Sequence, residues 1–380
     1  MNLMEICELI VDCPHSTAKD EKYGYPLVRT PNIGKGRLLL DNVYRVSEEV
    51  YNERNKRAIP QKNDLILARE APVGNVAIIK EGQNVCLGQR TVLIRPNKEK
   101  VNPDYLVYYL LSPGVQYRFL NASNGATVSH LNMSDIRNLE IEVPDISIQN
   151  KIGKFLSLID DKISDNYKIN KNLEQQAQAI YQQMFIDNAR SDSTEGTLSD
   201  IANITMGQSP SGSSYNEDGN GTIFFQGRAE FGFRFPTVRL YTTEPKRMAC
   251  ANDTLMSVRA PVGDLNVAHT DCCIGRGLAA IHSKNNHQSF VLYTMFSLKK
   301  QLDVFNGEGT VFGSINRNSL NEMPILIPSS EKLDEFEALV APMDAAIRNN
   351  YDEICRLEQL RDSLLPQLMS GELDVSDIDL

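Results

Sequence analysis

Two ladders of mostly apolar residues, identical in spacing, constrain the fold of this 380-residue chain more than any other feature. In each ladder the residues recur at alternating steps of four and three, which is typical of a helix that presents one narrow seam to a partner helix. The first ladder comprises Ile152, Leu156, Ile159, Ile163, Asn166, Asn170, Leu173, Ala177, Ile180 and Met184. The second comprises Phe336, Val340, Met343, Ile347, Asn350, Ile354, Leu357, Arg361, Leu364 and Leu368. We expect two long helices that pack on each other; the alternative is two amphipathic helices in separate cores.

Shorter motifs repeat ahead of each ladder. The segment from Asn63-Asp64 to Ala71-Pro72-Val73-Gly74 matches the segment from Asn252-Asp253 to Ala260-Pro261-Val262-Gly263. Cys86-Leu87-Gly88 likewise matches Cys273-Ile274-Gly275. Solenoid repeats are 20–50 residues long, and this unit is far longer. The chain is therefore interpreted as a tandem duplication of one globular half followed by one long helix.

The domain boundaries follow from this duplication. We predict a first globular half over 1–145, a long helix over 146–190, a polar linker over 191–196, a second half over 197–330, and a helical region with an acidic tail over 331–380. Proline strains a helix interior, so Pro342 is expected to end a short helix at 341 and to begin the second long helix. Short apolar stretches between turn residues predict small strands, which makes the fold α+β.

An antiparallel pair of these helices would relate the two halves by a pseudo-twofold axis and place them at opposite ends of a coiled coil. In the simplest register, Asn350 lies beside Asn170. A polar pair in the middle of an apolar seam would fix the register and orientation of the helices.

Nearly all of the net charge of −10 lies in one region. Residues 1–145 and 197–330 are each neutral, whereas residues 331–380 carry −9. The acidic balance therefore does not exclude nucleic-acid binding by the globular halves. The chain lacks a run of 18 apolar residues and a basic leader, so we expect a cytoplasmic protein without a membrane segment. Its seven cysteines and five histidines show no metal-ligand spacing, and no metal is expected.

Catalytic motifs are weak. Asn102-Pro103-Asp104-Tyr105 is similar to the Asn-Pro-Pro-Tyr element of adenine methyltransferases, but a cofactor loop does not precede it and it is typical of a helix start. Gly34-Lys35 lacks the spacing of a nucleotide-binding loop. The two halves share no nucleophile at matched positions. This favours a binding module over an enzyme, and a protein-binding scaffold remains the alternative.

The whole arrangement resembles the specificity subunit of type I restriction–modification systems. The resemblance rests on two strand-rich halves with Asn-Asp and Ala-Pro-Val-Gly motifs, each followed by proline and a heptad helix. Gly207-Gln208-Ser209-Pro210 and Phe225-Gln226-Gly227 also look like that family's target-recognition domains.

This resemblance implies a non-catalytic subunit that binds double-stranded DNA. Each half would read one half of a split target, and the helices would set the spacer between the two parts. It also implies two adenine-N6 methyltransferase subunits docked on the helices, with S-adenosylmethionine bound by those partners rather than by this chain. Restriction subunits, which translocate DNA, are optional partners.

Candidate DNA contacts are charged, amide and hydroxyl side chains on predicted loops and strand ends, since such groups position phosphates and read base edges. In the first half they are Arg29, Thr30, Lys35, Arg37, Arg69, Gln89, Arg90, Asn124, Thr127 and His130. In the second half they are Gln208, Ser209, Gln226, Arg228, Arg234, Arg259, Arg276, Asn306, Thr310 and Arg317. Matched positions carry different residues, as expected if the halves read different sequences.

Overall fold

The computed structural model of the protein contains two structural units, each built from one globular half and a stretch of both long helices. Unit 1 comprises Met1–Asp165 and Glu353–Leu380, and unit 2 comprises Asn166–Asp352. The structure describes residues 1–123, 130–187, 193–307 and 313–376. Helices and strands are mixed in both units, which confirms the α+β prediction.

Unit 1 contains a five-stranded sheet in the order β1-β8-β5-β6-β3 and a three-stranded sheet in the order β4-β2-β7. Its strands are β1 Cys7–Asp12, β2 Tyr25–Val28, β3 Gly36–Arg37, β4 Tyr44–Val46, β5 Leu65–Ala68, β6 Val76–Ile78, β7 Cys86–Leu87 and β8 Thr91–Pro96. Its helices are α1 Glu48–Arg54, α2 Pro103–Leu111, α3 Pro113–Ala122, α4 Met133–Arg137 and the start of α5 Ile146–Tyr181, with 3-10 turns at Leu3–Ile6 and Thr30–Asn32.

Unit 2 repeats this plan with sheets in the orders β10-β18-β15-β16, β11-β13-β12-β17-β14 and β19-β9. Its strands are β9 Ser193–Thr197, β10 Ala202–Met206, β11 Tyr215–Asn216, β12 Thr222–Phe225, β13 Leu240–Thr242, β14 Met248–Ala249, β15 Thr254–Ser257, β16 Leu265–Val267, β17 Cys272–Ile274, β18 Leu278–Ser283 and β19 Pro324–Pro328. The helices are the end of α5, α6 Leu198–Ile201, α7 Gln288–Ser297, α8 Lys299–Leu302, α9 Arg317–Asn321 and the first part of α10 Ser330–Ser370, whose last part belongs to unit 1. A π-helical turn, Gln182–Asp187, follows α5, and 3-10 turns lie at Gly212–Ser214, Arg228–Glu230 and Asp303–Asn306.

The repeated motifs form turns that the two central strands need. Asn63 and Asn252 both have φ of 73°, a left-handed conformation that asparagine tolerates better than most residues. The aspartate that follows each asparagine immediately precedes a strand, β5 or β15, whose four residues are all buried. At the other end of these strands, Gly74 N–H donates to the Ala68 carbonyl and Gly263 N–H to the Ser257 carbonyl, both at 2.9 Å. The Asn-Asp and Ala-Pro-Val-Gly motifs therefore build the scaffold rather than a reactive site.

The Asn-Pro-Asp-Tyr segment caps a helix, as predicted from the sequence. The Asn102 side-chain oxygen accepts a hydrogen bond from Tyr105 N–H at 2.9 Å, and α2 begins at Pro103. The side chain thus satisfies a backbone donor that the helix leaves free, which is a structural role.

Within each unit, α5 and α10 lie against each other in opposite directions. In unit 2, Asn350 Nδ2 donates to Asn170 Oδ1 at 2.8 Å, which confirms the predicted asparagine pair. In unit 1, Arg361 Nη1 donates to Asp160 Oδ1 at 2.8 Å. All 20 ladder positions are buried or half-buried, so the seam removes one stripe of each helix from water.

The predicted break at Pro342 is wrong, because α10 is one helix of 41 residues that includes both Pro342 and Pro366. A proline inside a helix costs about 3 kcal/mol, since it removes one hydrogen bond and crowds the preceding turn. Phe336, Val340 and Ile347 are fully buried on either side of Pro342. Each contributes roughly 1.5–3 kcal/mol on burial, which outweighs the cost of the ring.

The predicted linker 191–196 is also wrong over its described part. Residues Ser193–Thr197 form β9, which pairs antiparallel with β19 and brings Gly196 opposite Ile325. Pairing uses backbone groups, so a polar segment can form a strand when a neighbour offers an edge. In the first half, the segment before α5 pairs less extensively: Glu140 forms an isolated antiparallel bridge with Asn2.

Each unit has its own core. In unit 1, Ile152 and Leu156 of α5 and Leu365 and Leu368 of α10 pack with the apolar face of α2. All seven cysteines are free, and burial raises the pKa of Cys86 to about 11 and that of Cys272 to about 12. None of the helices in the described ranges is both long enough and apolar enough to cross a membrane.

Candidate nucleic-acid interface

A pair of parallel strands in each half brings together loops that are distant in sequence. In the first half β2 pairs with β7, and in the second β12 pairs with β17. Because the two strands of each pair are parallel, their carboxyl ends lie side by side, and the residues that follow them lie close together. We refer to this end of the strand pair as its edge. Gly88 N–H donates to the Val28 carbonyl at 2.7 Å, and Gly275 N–H to the Phe225 carbonyl at 2.8 Å.

The glycine of the Cys-x-Gly motif is required by this close approach. A Cβ atom at Gly88 would lie 2.7 Å from the Val28 carbonyl oxygen, and one at Gly275 would lie 2.8 Å from the Gln226 carbonyl oxygen. Both distances are too short for any side chain. The motif therefore places Gln89-Arg90 next to Arg29 in the first half, and Arg276-Gly277 next to Gln226 in the second.

In the second half this edge opens into a cleft of about 420 Å³. Five of the predicted contact residues line it: Ser209, Gln226, Arg228, Arg259 and Arg276. Arg239, Glu230 and Ser257 also line the cleft. The amides, hydroxyls and guanidinium groups are the types that hydrogen-bond base edges and phosphates.

Two of the cleft arginines are paired and two are available. Arg228 forms an ion pair with Asp264, and Arg239 Nη2 lies 3.0 Å from Glu230 Oε1. Arg259 and Arg276 have exposed side chains and, in the described part of the chain, no ion pair. Ser209 Oγ accepts from the Arg276 backbone N–H at 3.2 Å, which ties the loop after β10 to this edge.

In the first half the matching edge carries a network of ion pairs and hydrogen bonds. Arg90 Nε lies 2.8 Å from Glu70 Oε2, and Glu70 Oε1 lies 2.6 Å from His130 Nδ1. His130 Nε2 lies 2.6 Å from Arg69 Nη2. Asp12 accepts from Arg69 Nη1 with both carboxylate oxygens at 2.9 Å. Three predicted contact residues, Arg69, Arg90 and His130, thus belong to one cluster.

Three further predicted residues lie near this edge. The Arg29 guanidinium stacks over the Tyr44 ring at 3.5 Å from its centroid. Gln89 Nε2 donates to the His15 carbonyl at 2.5 Å. Thr30 is buried in the 3-10 turn that follows β2, so its side chain is less available than predicted.

The remaining predictions for the first half fall elsewhere. Lys35 is exposed and lines a separate cavity of about 310 Å³ beside Asp160 and Arg361, and Arg37 is half-buried in β3. The structure therefore does not bring Lys35 and Arg37 together with Arg90. Asn124, Thr127 and, in the second half, Thr310 lie outside the described residues.

Two arginines that we expected on the surface are buried. Arg69 is 7% exposed and binds Asp12 and the Leu131 carbonyl, the latter at 2.8 Å. Arg234 is 4% exposed and forms ion pairs with Glu174 at 3.1 Å and Asp344 at 3.3 Å. A guanidinium held inside the protein by carboxylates is not on the surface that DNA would contact, and its removal would leave those carboxylates without a partner. The expectation that both side chains lie on the exposed surface is therefore corrected.

The other predictions for the second half are dispersed. Asn306 Oδ1 accepts from Val262 N–H at 2.6 Å, so this side chain supports the Ala-Pro-Val-Gly turn. Gln208 is exposed next to Ser209, and Arg317 is exposed at the first residue of α9.

Sequence reasoning missed Glu70 and Arg239. Glu70 is matched to Arg259, so its importance could have been inferred from the duplication, whereas Arg239 carries no repeated signal. Both lie at the edge described above through contacts with Arg90 and Glu230.

Comparison with known proteins identifies similar chains. A family model for the type I restriction modification DNA specificity domain matches residues 1–175 and 190–348. A Methanocaldococcus jannaschii protein, provisionally named the type I restriction enzyme MjaX specificity subunit, is 29% identical over 397 aligned residues, which cover 98% of this chain and 93% of that relative. The type I restriction enzyme MjaIX specificity subunit of the same organism is 25% identical and covers 88% and 82% of the two chains.

A solved structure supports the same architecture. The crystal structure of a type I restriction-modification system S subunit from M. genitalium superposes with a TM-score of 0.61, covering 97% of this chain and 95% of that one. The two sequences are 17% identical, so this likeness concerns the fold alone.

Proposed function

Because the chain belongs to the type I restriction–modification DNA specificity family, as a family model matching most of its length shows, we propose that it directs a methyltransferase complex to a bipartite DNA target. Residues 1–145 and 197–330 act as two target-recognition domains, each of which reads one half of the target. The long helices set the spacer and bind two adenine-N6 methyltransferase subunits. Those partners bind S-adenosylmethionine, and this chain is itself non-catalytic.

One observation carries the proposal: both halves present polar loops at the same edge of a parallel strand pair, but with different side chains. Arg29 in the first half occupies the place of Gln226 in the second, and Gln89 occupies the place of Arg276. A duplicated frame with changed hydrogen-bonding groups is what two different half-sites require, because bases are distinguished by their donors and acceptors.

The proposal is tested by exchanging one recognition domain. We would express the chain with its methyltransferase subunits, map the methylated adenines, and repeat the mapping after replacing residues 1–145 with the corresponding domain of a relative of known target. We expect one half of the target to change and the other half and the spacer to persist. The matched control, exchange of residues 197–330, should change the opposite half.

Other outcomes would contradict the proposal. Retention of both half-sites after the exchange would show that residues 1–145 do not read DNA. If the purified chain failed to bind any DNA duplex at low salt but bound protein partners, the scaffold alternative would be supported instead. Binding that weakens as salt rises is expected, since phosphate contacts release counterions. Methylation or cleavage by the chain alone would overturn its non-catalytic role.

A further inference from the structure

We infer that Arg90 is the guanine-reading residue of the first recognition domain, and that Glu70, His130, Arg69 and Asp12 hold it in position. The inference rests on the proposed function and deepens it by naming one base and the side chain that selects it. Its support comes from the geometry of the arginine, the network behind it and its backbone conformation.

The Arg90 side chain is anchored at one end and exposed at the other. Its Nε lies 2.8 Å from Glu70 Oε2, and its side chain is 57% exposed whereas that of Glu70 is 14% exposed. The ion pair with the carboxylate holds the inner end of the guanidinium, and the two terminal nitrogens remain for a ligand. An arginine that offers two parallel donors binds the O6 and N7 acceptors of guanine, which no other base pair presents together in the major groove.

The anchor is itself fixed by a chain of contacts that ends inside the domain. Arginine can only donate, so His130 Nε2 must accept from Arg69, and His130 Nδ1 must carry the proton that it donates to Glu70. Arg69 is in turn held by both oxygens of Asp12. Arg90 thus loses little conformational freedom when it binds, which favours affinity and selectivity.

The backbone supplies an independent observation. Arg90 has φ of 64°, in the left-handed region that disfavours residues with a Cβ atom. The matched residue in the second half, Gly277, does not share this conformation, so the left-handed backbone is particular to the first half. An arginine kept at a position that suits glycine indicates that its side chain is needed, as strained residues concentrate at functional sites.

The test replaces Arg90 with the residue of the matched position. The full chain and its R90G variant, each with the methyltransferase subunits, would be selected against duplexes in which both half-sites are randomised. We expect the wild-type chain to require guanine at one position of the half read by residues 1–145. R90G should lose that requirement alone and bind the wild-type site roughly 5- to 150-fold more weakly. Because glycine adopts this φ readily, the Tm of R90G should not fall.

Two further variants distinguish an effect on base preference from an effect on stability and from the loss of a positive charge. Lys98→Ala removes one exposed positive charge from the same domain and should leave every base preference unchanged. Glu70→Gln keeps the shape of the anchor but removes its charge. We expect E70Q to weaken selection at the same base position as R90G; a purely structural role for Glu70 would lower the Tm without altering base preference.

The results distinguish this inference from the proposed function. If the wild-type chain selects a bipartite site and R90G retains guanine at every position, the assignment of Arg90 is wrong and the proposed function stands. If the wild-type chain selects no sequence, both fail. If R90G relaxes a position in the half-site read by residues 197–330, the assignment of Arg90 to the first half-site is overturned.

Discussion

At the scale of residues, the duplication preserves one pair of contacts between each globular half and the long helices. Tyr108 donates its hydroxyl to Asp160 at 2.7 Å, and Tyr293 donates to Asp344 at 2.9 Å. The two tyrosines stand at matched places on α2 and α7, and the two aspartates stand 184 positions apart on α5 and α10. Each pair fixes the direction in which a helix of the globular half lies on a long helix.

The cation that accompanies each aspartate comes from a different place. In unit 1 it is Arg361 of α10, whereas in unit 2 it is Arg234 of the loop before β13. The residue matched to Arg234 in the first half is Gly36, where a Cβ atom would lie 2.8 Å from Asp160 Oδ2. Each carboxylate therefore has one arginine, although the two halves supply it from different elements.

Arg234→Ala should destabilise the protein by about 3 kcal/mol, because it leaves the half-buried carboxylates of Glu174 and Asp344 without a cation. The free energy of unfolding in urea measures this loss. Arg317→Ala, which removes an exposed arginine from the same globular half, should change it by less than about 0.5 kcal/mol. Equal effects of the two substitutions would refute a structural role for Arg234.

The same variant should respond to pH. Burial raises the pKa of Glu174 and of Asp344, and Arg234 opposes this rise. A carboxyl whose folded-state pKa is raised favours the folded state at low pH and loses that contribution as pH increases. Without Arg234 both pKa values rise further. The loss in free energy of unfolding caused by Arg234→Ala should therefore be smaller at about pH 5 than at about pH 7.5.

At the scale of elements, periodic and repeated features could be predicted, whereas contacts between distant segments could not. The seam follows from the fixed spacing of apolar residues within each long helix. The same spacing predicts the Asn170–Asn350 pair, which the observed contact confirms. The burial of Arg234 depends on Glu174 and Asp344, which lie 60 and 110 positions away in the sequence and carry no signal of their proximity. The strand Ser193–Thr197 depends in the same way on a partner edge more than 100 residues later.

Pro342 shows how packing overrides a local preference, and its replacement tests that explanation. Pro342→Ala restores a backbone donor in α10 and should stabilise unit 2 by about 1–2 kcal/mol. Removing proline from the helix interior stabilises the folded state, and this exceeds the loss that arises because alanine leaves the unfolded chain more conformational freedom. Chemical denaturation measures the change. Gln359→Ala, at an exposed position of the same helix, is the control and should shift stability by less than about 0.5 kcal/mol. A loss of stability in P342A would mean that the proline ring itself is needed.

At the scale of the whole molecule, the acidic charge and the proposed DNA contacts occupy different parts of the chain. Residues 331–380 carry −9, while each globular half is neutral overall, and the second half holds the exposed Arg259 and Arg276 at the edge of its parallel strand pair. The acidic balance of residues 331–380 disfavours contact with phosphate along α10, which agrees with the proposed role of this helix as spacer and docking surface.

The spacer role gives a quantitative prediction. Duplicating residues 159–165 in α5 together with residues 355–361 in α10 adds one heptad to each helix and preserves the alternation of four and three along the seam. Seven residues lengthen a helix by about 10 Å, and one base pair spans about 3.4 Å, so the preferred spacer should grow by about three base pairs. Mapping the methylated sites measures the spacer directly. The same duplication in α5 alone is the control: it gives that helix a heptad without a partner, and should destabilise the protein rather than shift the spacer. An unchanged spacer in the double insertion would show that the helices do not set it.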